Sequence, residues 1–211
     1  MGLVSFFNIQ QMKSISSAEI FVETGTYKGE GVEFASNFGF EKIFSIEIFD
    51  KLAEKAKEKF KDRQNIEIIH SDSSSGLRSI MDRLDKNCIF WLDAHFPGSD
   101  VGATSYDQEK EHDINMPLLK ELKILSERKS FNDIILVDDL RTFKEVPDKF
   151  KHLVNGFNEH MESIGQSHVK KENLVNFDLE KEILSLFPDK NAVEFWVDSG
   201  YLAILPKGVQ K

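Results

Sequence analysis

The chain has 211 residues, 40% of them apolar, with 36 acidic residues against 27 Lys and Arg and a formal net charge of −9. That length and apolar share suffice for one α/β domain with a sizeable core, so residues 1–211 are read as one domain. The acidic balance disfavours a nucleic-acid partner, because phosphate recognition needs basic surface, and no apolar run approaches the roughly 20 residues that cross a bilayer.

The N-terminal stretch has no basic start before its apolar residues, and Phe6 breaks the myristoylation pattern, so no signal or lipid anchor is expected. Residues 19–23 (EIFVE) read as the first strand, followed by a glycine-bearing turn and a helix to about Asn37. Residues 42–48 (KIFSIEI) form the second strand. Residues 50–62 read as a helix that Asp50 is placed to cap. Lys55, Lys57, Lys59 and Lys61 alternate there with Glu54 and Glu58, which reads as a solvated face.

Residues 65–70 (NIEIIH) are the third strand, and Ser74 or Ser75 can cap a helix to about Leu84. Residues 88–93 (CIFWLD) have the near-continuous apolar character of a central parallel strand. Cys88, the one cysteine, excludes an internal disulfide, fits a reducing cytoplasmic setting, and reads as a buried structural thiol. A long polar loop then runs from Asp93 to Asn115. Residues 116–129 are helical, residues 133–138 (DIILVD) are a fifth strand, and helices follow at 147–163 and 178–187. Residues 192–197 and 201–205, joined by Asp198-Ser199-Gly200, read as a closing hairpin, so one terminal strand runs antiparallel. Repeated βα units imply a doubly wound α/β fold with a mostly parallel sheet and helices on both faces.

The most informative stretch is Glu23-Thr24-Gly25-Thr26-Tyr27-Lys28-Gly29-Glu30-Gly31, between the first strand and the first βα helix. Glycines here permit a tight turn and a close backbone approach to a ligand at a helix N-terminus. Their spacing is G-x-x-x-G-x-G rather than the dinucleotide G-x-G-x-x-G. Glu47, at the end of the second strand, can accept from both hydroxyls of a ribose. Asp72, with Ser73 after the third strand, can accept from an adenine amino group or cap the next helix.

These residues resemble the class I S-adenosylmethionine-dependent methyltransferases, from the E-T-G-T-x-x-G loop to the final hairpin. The resemblance implies a seven-stranded sheet of order 3-2-1-4-5-7-6, with strand seven antiparallel. It implies that Glu23, Thr24, Gly25, Thr26 and Gly29 hold the methionine part of the cofactor. Glu47 would then bind the ribose, and Asp72 with Ser73 the adenine, with Asp93 completing the cofactor pocket.

The fourth strand ends in Asp93-Ala94-His95 and the fifth in Asp138-Asp139. Parallel strands would open both ends onto the crevice of the cofactor loop. Three carboxylates there suit a hard divalent ion such as Mg²⁺, and without one their like charges would raise a pKa. The set resembles the metal-dependent O-methyltransferases of the macrocin type, which act on sugars. By that resemblance Asp93, Asp138 and Asp139 are the metal ligands and His95 is the general base, where the relatives carry an acidic residue. His95 could equally ligate the metal or position the substrate, and in a metal-free enzyme Asp93 or His95 would be the base.

The expectation is therefore O-methylation of a small acceptor, a sugar or glycan by analogy, with S-adenosylmethionine and a divalent metal. No nucleic acid or membrane partner is expected, and a homo-oligomer is left open. An NAD-dependent Rossmann oxidoreductase and a non-catalytic cofactor-binding protein are the alternatives.

Overall fold

The computed structural model describes residues 3–94, 117–154, 159 and 178–208. Seven strands form one sheet: β1 (Ile20–Thr24), β2 (Lys42–Glu47), β3 (Ile66–His70), β4 (Cys88–Leu92), β5 (Ile134–Val137), β6 (Lys190–Phe195) and β7 (Tyr201–Pro206). Their order is β3-β2-β1-β4-β5-β7-β6. Pairings from β3 to β5 are parallel, and β7 is antiparallel to both β5 and β6. The doubly wound sheet and its antiparallel end are as expected.

Alternation along β1 divides the core. Phe21 packs with Ile43, Ile89 and Leu136 on one face, and Ile20 and Val22 pack with Phe44, Phe90 and Ile135 on the other. The first face is covered by α1 (Ile9–Ser16), α2 (Glu30–Ala35) and α3 (Asp50–Phe60). The second is covered by α4 (Ser73–Ile80), α5 (Leu118–Leu125) and α6 (Leu179–Leu186). No helix among the described residues is long and apolar enough to cross a membrane.

Several local readings change. Helix α1 was not anticipated; it is capped by the Asn8 side chain, which accepts from Gln11 N at 3.0 Å. Asp50 does not cap α3: Phe49 holds that position and Asp50 begins the helix, where its charge favours the dipole. The cap of α4 is Asp72 rather than Ser74 or Ser75; its Oδ1 accepts from Ser75 N at 3.0 Å. The helix expected over 116–129 is regular only over Leu118–Leu125, with Pro117 as its N-cap residue. Beyond Pro147 a 3₁₀ turn (Asp148–Phe150) leads into helix at 151–154. The rest of the expected 147–163 helix lies largely outside the described residues.

Candidate functional site

The parallel order brings the C-terminal ends of β1, β2, β4 and β5 to one edge of the sheet. The turn after β1 folds tightly: Gly25 takes a φ of +87°, and a Cβ there would lie 2.3 Å from the Asp93 carbonyl oxygen. Only glycine lets the loop pass this close to the end of β4. Gly29 occupies the N-cap position of α2.

Glu23 and Ser45 are direct neighbours across β1 and β2. Ser45 Oγ donates to Glu23 Oε2 at 2.6 Å, and Thr26 Oγ1 lies 2.6 Å from Ser45 Oγ. Ser45 has one proton and gives it to Glu23, so Thr26 is the donor to Ser45. The other Glu23 oxygen lies against Gly31, where a Cβ would approach it to 1.9 Å. Burial pushes the Glu23 pKa up to about 8, with the Ser45 hydrogen bond opposing and nearby Glu47 adding to the rise. Glu47 is nearly buried. Its Oε2 accepts from Tyr27 N at 2.8 Å and its Oε1 from Phe49 N at 2.9 Å, so it ties the glycine loop to the end of β2.

A cleft of about 160 Å³ opens beside this loop, lined among others by Glu23, Gly25, Thr26, Gly31, Trp91 and Asp93. Leu3, Val4 and Ser5 form its other wall, where Tyr201 Oη accepts from Leu3 N at 3.4 Å. Trp91, inside the apolar run of β4, is buried against Phe7 and Tyr201 and also reaches this cleft.

The second group of carboxyls lies at the ends of β4 and β5. Asp138 is fully buried, and its Oδ1 accepts from Ser199 Oγ at 2.7 Å. Its Oδ2 has no hydrogen-bond partner among the described residues. Burial raises the pKa of Asp93 well above the carboxylate range, and the charges of Asp138 and Asp139 push it the same way. Burial raises Asp138 to about 7, reinforced by Asp139. The two side chains face each other, and a proton on Asp93 can be shared with Asp138.

Asp139 adopts a left-handed φ of 53°, and its Oδ1 lies 3.5 Å from both Nε and Nη2 of Arg141. Among the described residues, no group of three His, Cys, Asp or Glu side chains is arranged to hold a metal ion. His95 and the loop from Phe96 to Asn115 lie outside the described residues.

Of the expected residues, Glu23, Gly25, Thr26 and Asp93 line this cleft; Glu47 braces the loop from behind, Gly29 begins α2, and the Thr24 side chain is fully buried. Asp72 and Ser73 stand at the end of β3, with Asp72 engaged as a helix cap. Sequence reasoning missed Ser45, Ser199 and Tyr201. Ser45 carried a signal: it is a polar residue inside KIFSIEI, two residues before Glu47 and so on the same face.

No family model matches the chain, and no curated protein matches it. Solved structures do. A Podospora anserina methyltransferase, PaMTH1, bound to S-adenosylhomocysteine, superposes with a TM-score of 0.56 at 17% identity, over 94% of this chain and 76% of that one. The fold is the Rossmann-like fold of methyltransferases. A candidate O-methyltransferase from Klebsiella pneumoniae gives a TM-score of 0.55 at 13% identity, covering 98% and 81% of the two chains. A SAM-dependent methyltransferase from Anabaena variabilis gives 0.51 at 13%, covering 97% and 84%. At these identities the likeness is one of fold.

Proposed function

We propose that this protein is an S-adenosylmethionine-dependent O-methyltransferase acting on a hydroxyl of a small acceptor in the cytoplasm. A sugar or glycan acceptor follows from the sequence resemblance alone. The observation that carries the reading is the crevice itself: the Glu23–Ser45–Thr26 chain and Glu47 frame a glycine turn that touches the backbone of Asp93.

S-adenosylmethionine, when bound, supplies a methyl group on a sulfonium, which passes to the acceptor oxygen as the carbon–sulfur bond breaks. The chain binds, orients and manages one proton. Glu47, held by two backbone N–H groups, keeps lone pairs free for the ribose hydroxyls. Glu23 faces the methionine half, where an ammonium group would favour its ionised form. Asp72 and Ser73 stand on the adenine side. His95 is the proton acceptor for the hydroxyl, or Asp93 in its place; Asp93 accepts only when ionised, a form its burial and the neighbouring carboxylates disfavour.

The divalent ion of the resemblance would need Asp93, Asp138 and Asp139 together. The orphan oxygen of Asp138 and the neighbouring Asp93 could face a cation, but Asp139 is engaged with Arg141. The described donors do not close a three-carboxylate set, so no step is routed through a metal.

Calorimetric titration with S-adenosylhomocysteine, with and without Mg²⁺, tests the reading. Binding is expected in both conditions, and its absence in both would sink the proposal. His95→Ala and Asp138→Asn are expected to abolish transfer while sparing this affinity.

A further inference from the structure

The buried face of α5 carries a carboxyl that the proposed reaction does not use. Leu118, Leu122 and Leu125 line that face, and Glu121 sits among them with 0% of its surface exposed. A leucine would suit the position better, because a buried carboxyl without partners is costly. Among the described residues neither Glu121 oxygen has a hydrogen-bond partner of good geometry. The same holds for Thr24 Oγ1, which is also fully buried. Burial pushes the Glu121 pKa up to about 7, and the hydroxyls of Ser73 and Thr24, which face it, pull the other way.

The positions of those two hydroxyls matter. Thr24 ends β1 and is followed by Gly25, the turn against Asp93. Ser73 opens α4 directly after its cap, Asp72. One side chain on a third element therefore faces the last residue of β1, just before the Gly25 turn, and the first residue of α4, just after Asp72. Small rotations of the hydroxyls would let both donate to the carboxyl, joining the two turns through α5. A local rule broken in this way, an acid at an apolar helix position, is expected where a site rather than the core sets the residue.

We propose that Glu121 is a positioning residue for the cofactor site, holding the Thr24–Gly25 turn and the Asp72–Ser73 turn in the mutual placement that the two halves of the cofactor require. The inference rests on the methyltransferase reading.

The test is calorimetric titration of the full chain and its variants with S-adenosylhomocysteine, each well below its Tm. Glu121→Leu is expected to weaken binding about tenfold, the effect of losing one such buried contact. Glu121→Gln, similar in shape and still able to accept, is expected to stay within about threefold. Leu125→Ala, on the same buried face but away from both turns, is expected to lower Tm and leave affinity unchanged. Glu121→Leu binding as tightly as the parent, or Leu125→Ala weakening binding as much as Glu121→Leu, would overturn the inference. Should Glu121→Leu not fold, Thr24→Val reads the same contact from β1: weakened binding supports the inference and parental affinity overturns it. A parent protein that binds no S-adenosylhomocysteine removes the methyltransferase reading itself, whereas normal parental binding with an indifferent Glu121→Leu removes only the role of Glu121.

Discussion

The two ends of the parallel sheet treat buried charge in opposite ways. At the N-terminal ends of β4 and β5, Asp133 and Arg128 form a nearly complete network. Arg128 Nε donates to Asp133 Oδ2 at 2.7 Å and Nη2 to Oδ1 at 3.1 Å, and Cys88 N donates to the same Oδ1 at 2.7 Å. Arg128 also donates to the carbonyls of Leu84 and Lys86, and its guanidinium stacks over Phe131 at 4.0 Å. At the C-terminal ends, Glu23, Asp93, Asp138 and Glu121 are buried or half-buried, and their pKa values are raised. One end satisfies its charges and holds the strands together. The other leaves buried carboxyl oxygens of Asp138 and Glu121 without partners among the described residues, beside a cleft that Glu23 and Asp93 line, at a cost to folding.

The sharpest way to break this contrast is at the satisfied end. Arg128→Leu leaves Asp133 buried with its cation gone, and about 3–5 kcal/mol of stability should be lost in denaturant unfolding. Affinity for S-adenosylhomocysteine should not change in the protein that remains folded. A stability loss below about 1 kcal/mol would show that Asp133 reaches solvent or other donors, and the two ends would then not differ as described.

The open end should respond to pH. Glu23 is raised to about 8, and Asp138 and Glu121 to about 7, each above its value in an unfolded chain. The stability that the protonated forms contribute is fully present below about pH 4 and is lost as pH rises through 7 to 8. The exposed pairs Glu33–Arg63, Glu67–Arg83 and Glu127–Arg78 act oppositely. Hydrogen bonds from arginine lower these glutamates, so their contribution fades in acid, and it is small because they are solvated. Maximal Tm is therefore expected near about pH 5. Glu23→Gln should recover about 2 kcal/mol relative to the parent at pH 9 while weakening cofactor binding. An identical pH profile in parent and variant would mean that Glu23 is ionised in the folded chain.

Much of this arrangement is visible in the sequence, and what is not has a physical reason. Strand existence follows from the apolar runs, strand order was implied by the family resemblance, and Asp198-Ser199-Gly200 announced the antiparallel end. The tight turn after β1 was legible because glycines and an acid at a strand end leave a local signature. Ser45 and Ser199 were not singled out because each matters through a partner 22 or 61 residues away, Glu23 or Asp138. Helix α1 was hidden in a polar stretch whose helical face is short. Asp139 was read with Asp138 as a pair, yet the left-handed turn at Asp139 sends its carboxyl to Arg141, and neighbouring positions cannot reveal such a turn.

The smallest expected effect separates two roles that the sequence left equal for Asp72. As the cap of α4 it satisfies one orphan N–H, that of Ser75. Asp72→Ala should therefore lower stability by about 1 kcal/mol. Asp72→Asn caps nearly as well and should leave stability within a few tenths of a kcal/mol of the parent. If Asp72 serves only α4, both variants bind S-adenosylhomocysteine as the parent does. If its free oxygen also receives the adenine amino group, Asp72→Ala weakens binding severalfold at a temperature where it is fully folded. Asp72→Asn, which retains a carbonyl acceptor, then falls between the two. The comparison of the sheet's ends is sharpened by the second result: a group already satisfied within the fold would still have capacity to spare for a ligand, as Glu47 does with its two backbone donors.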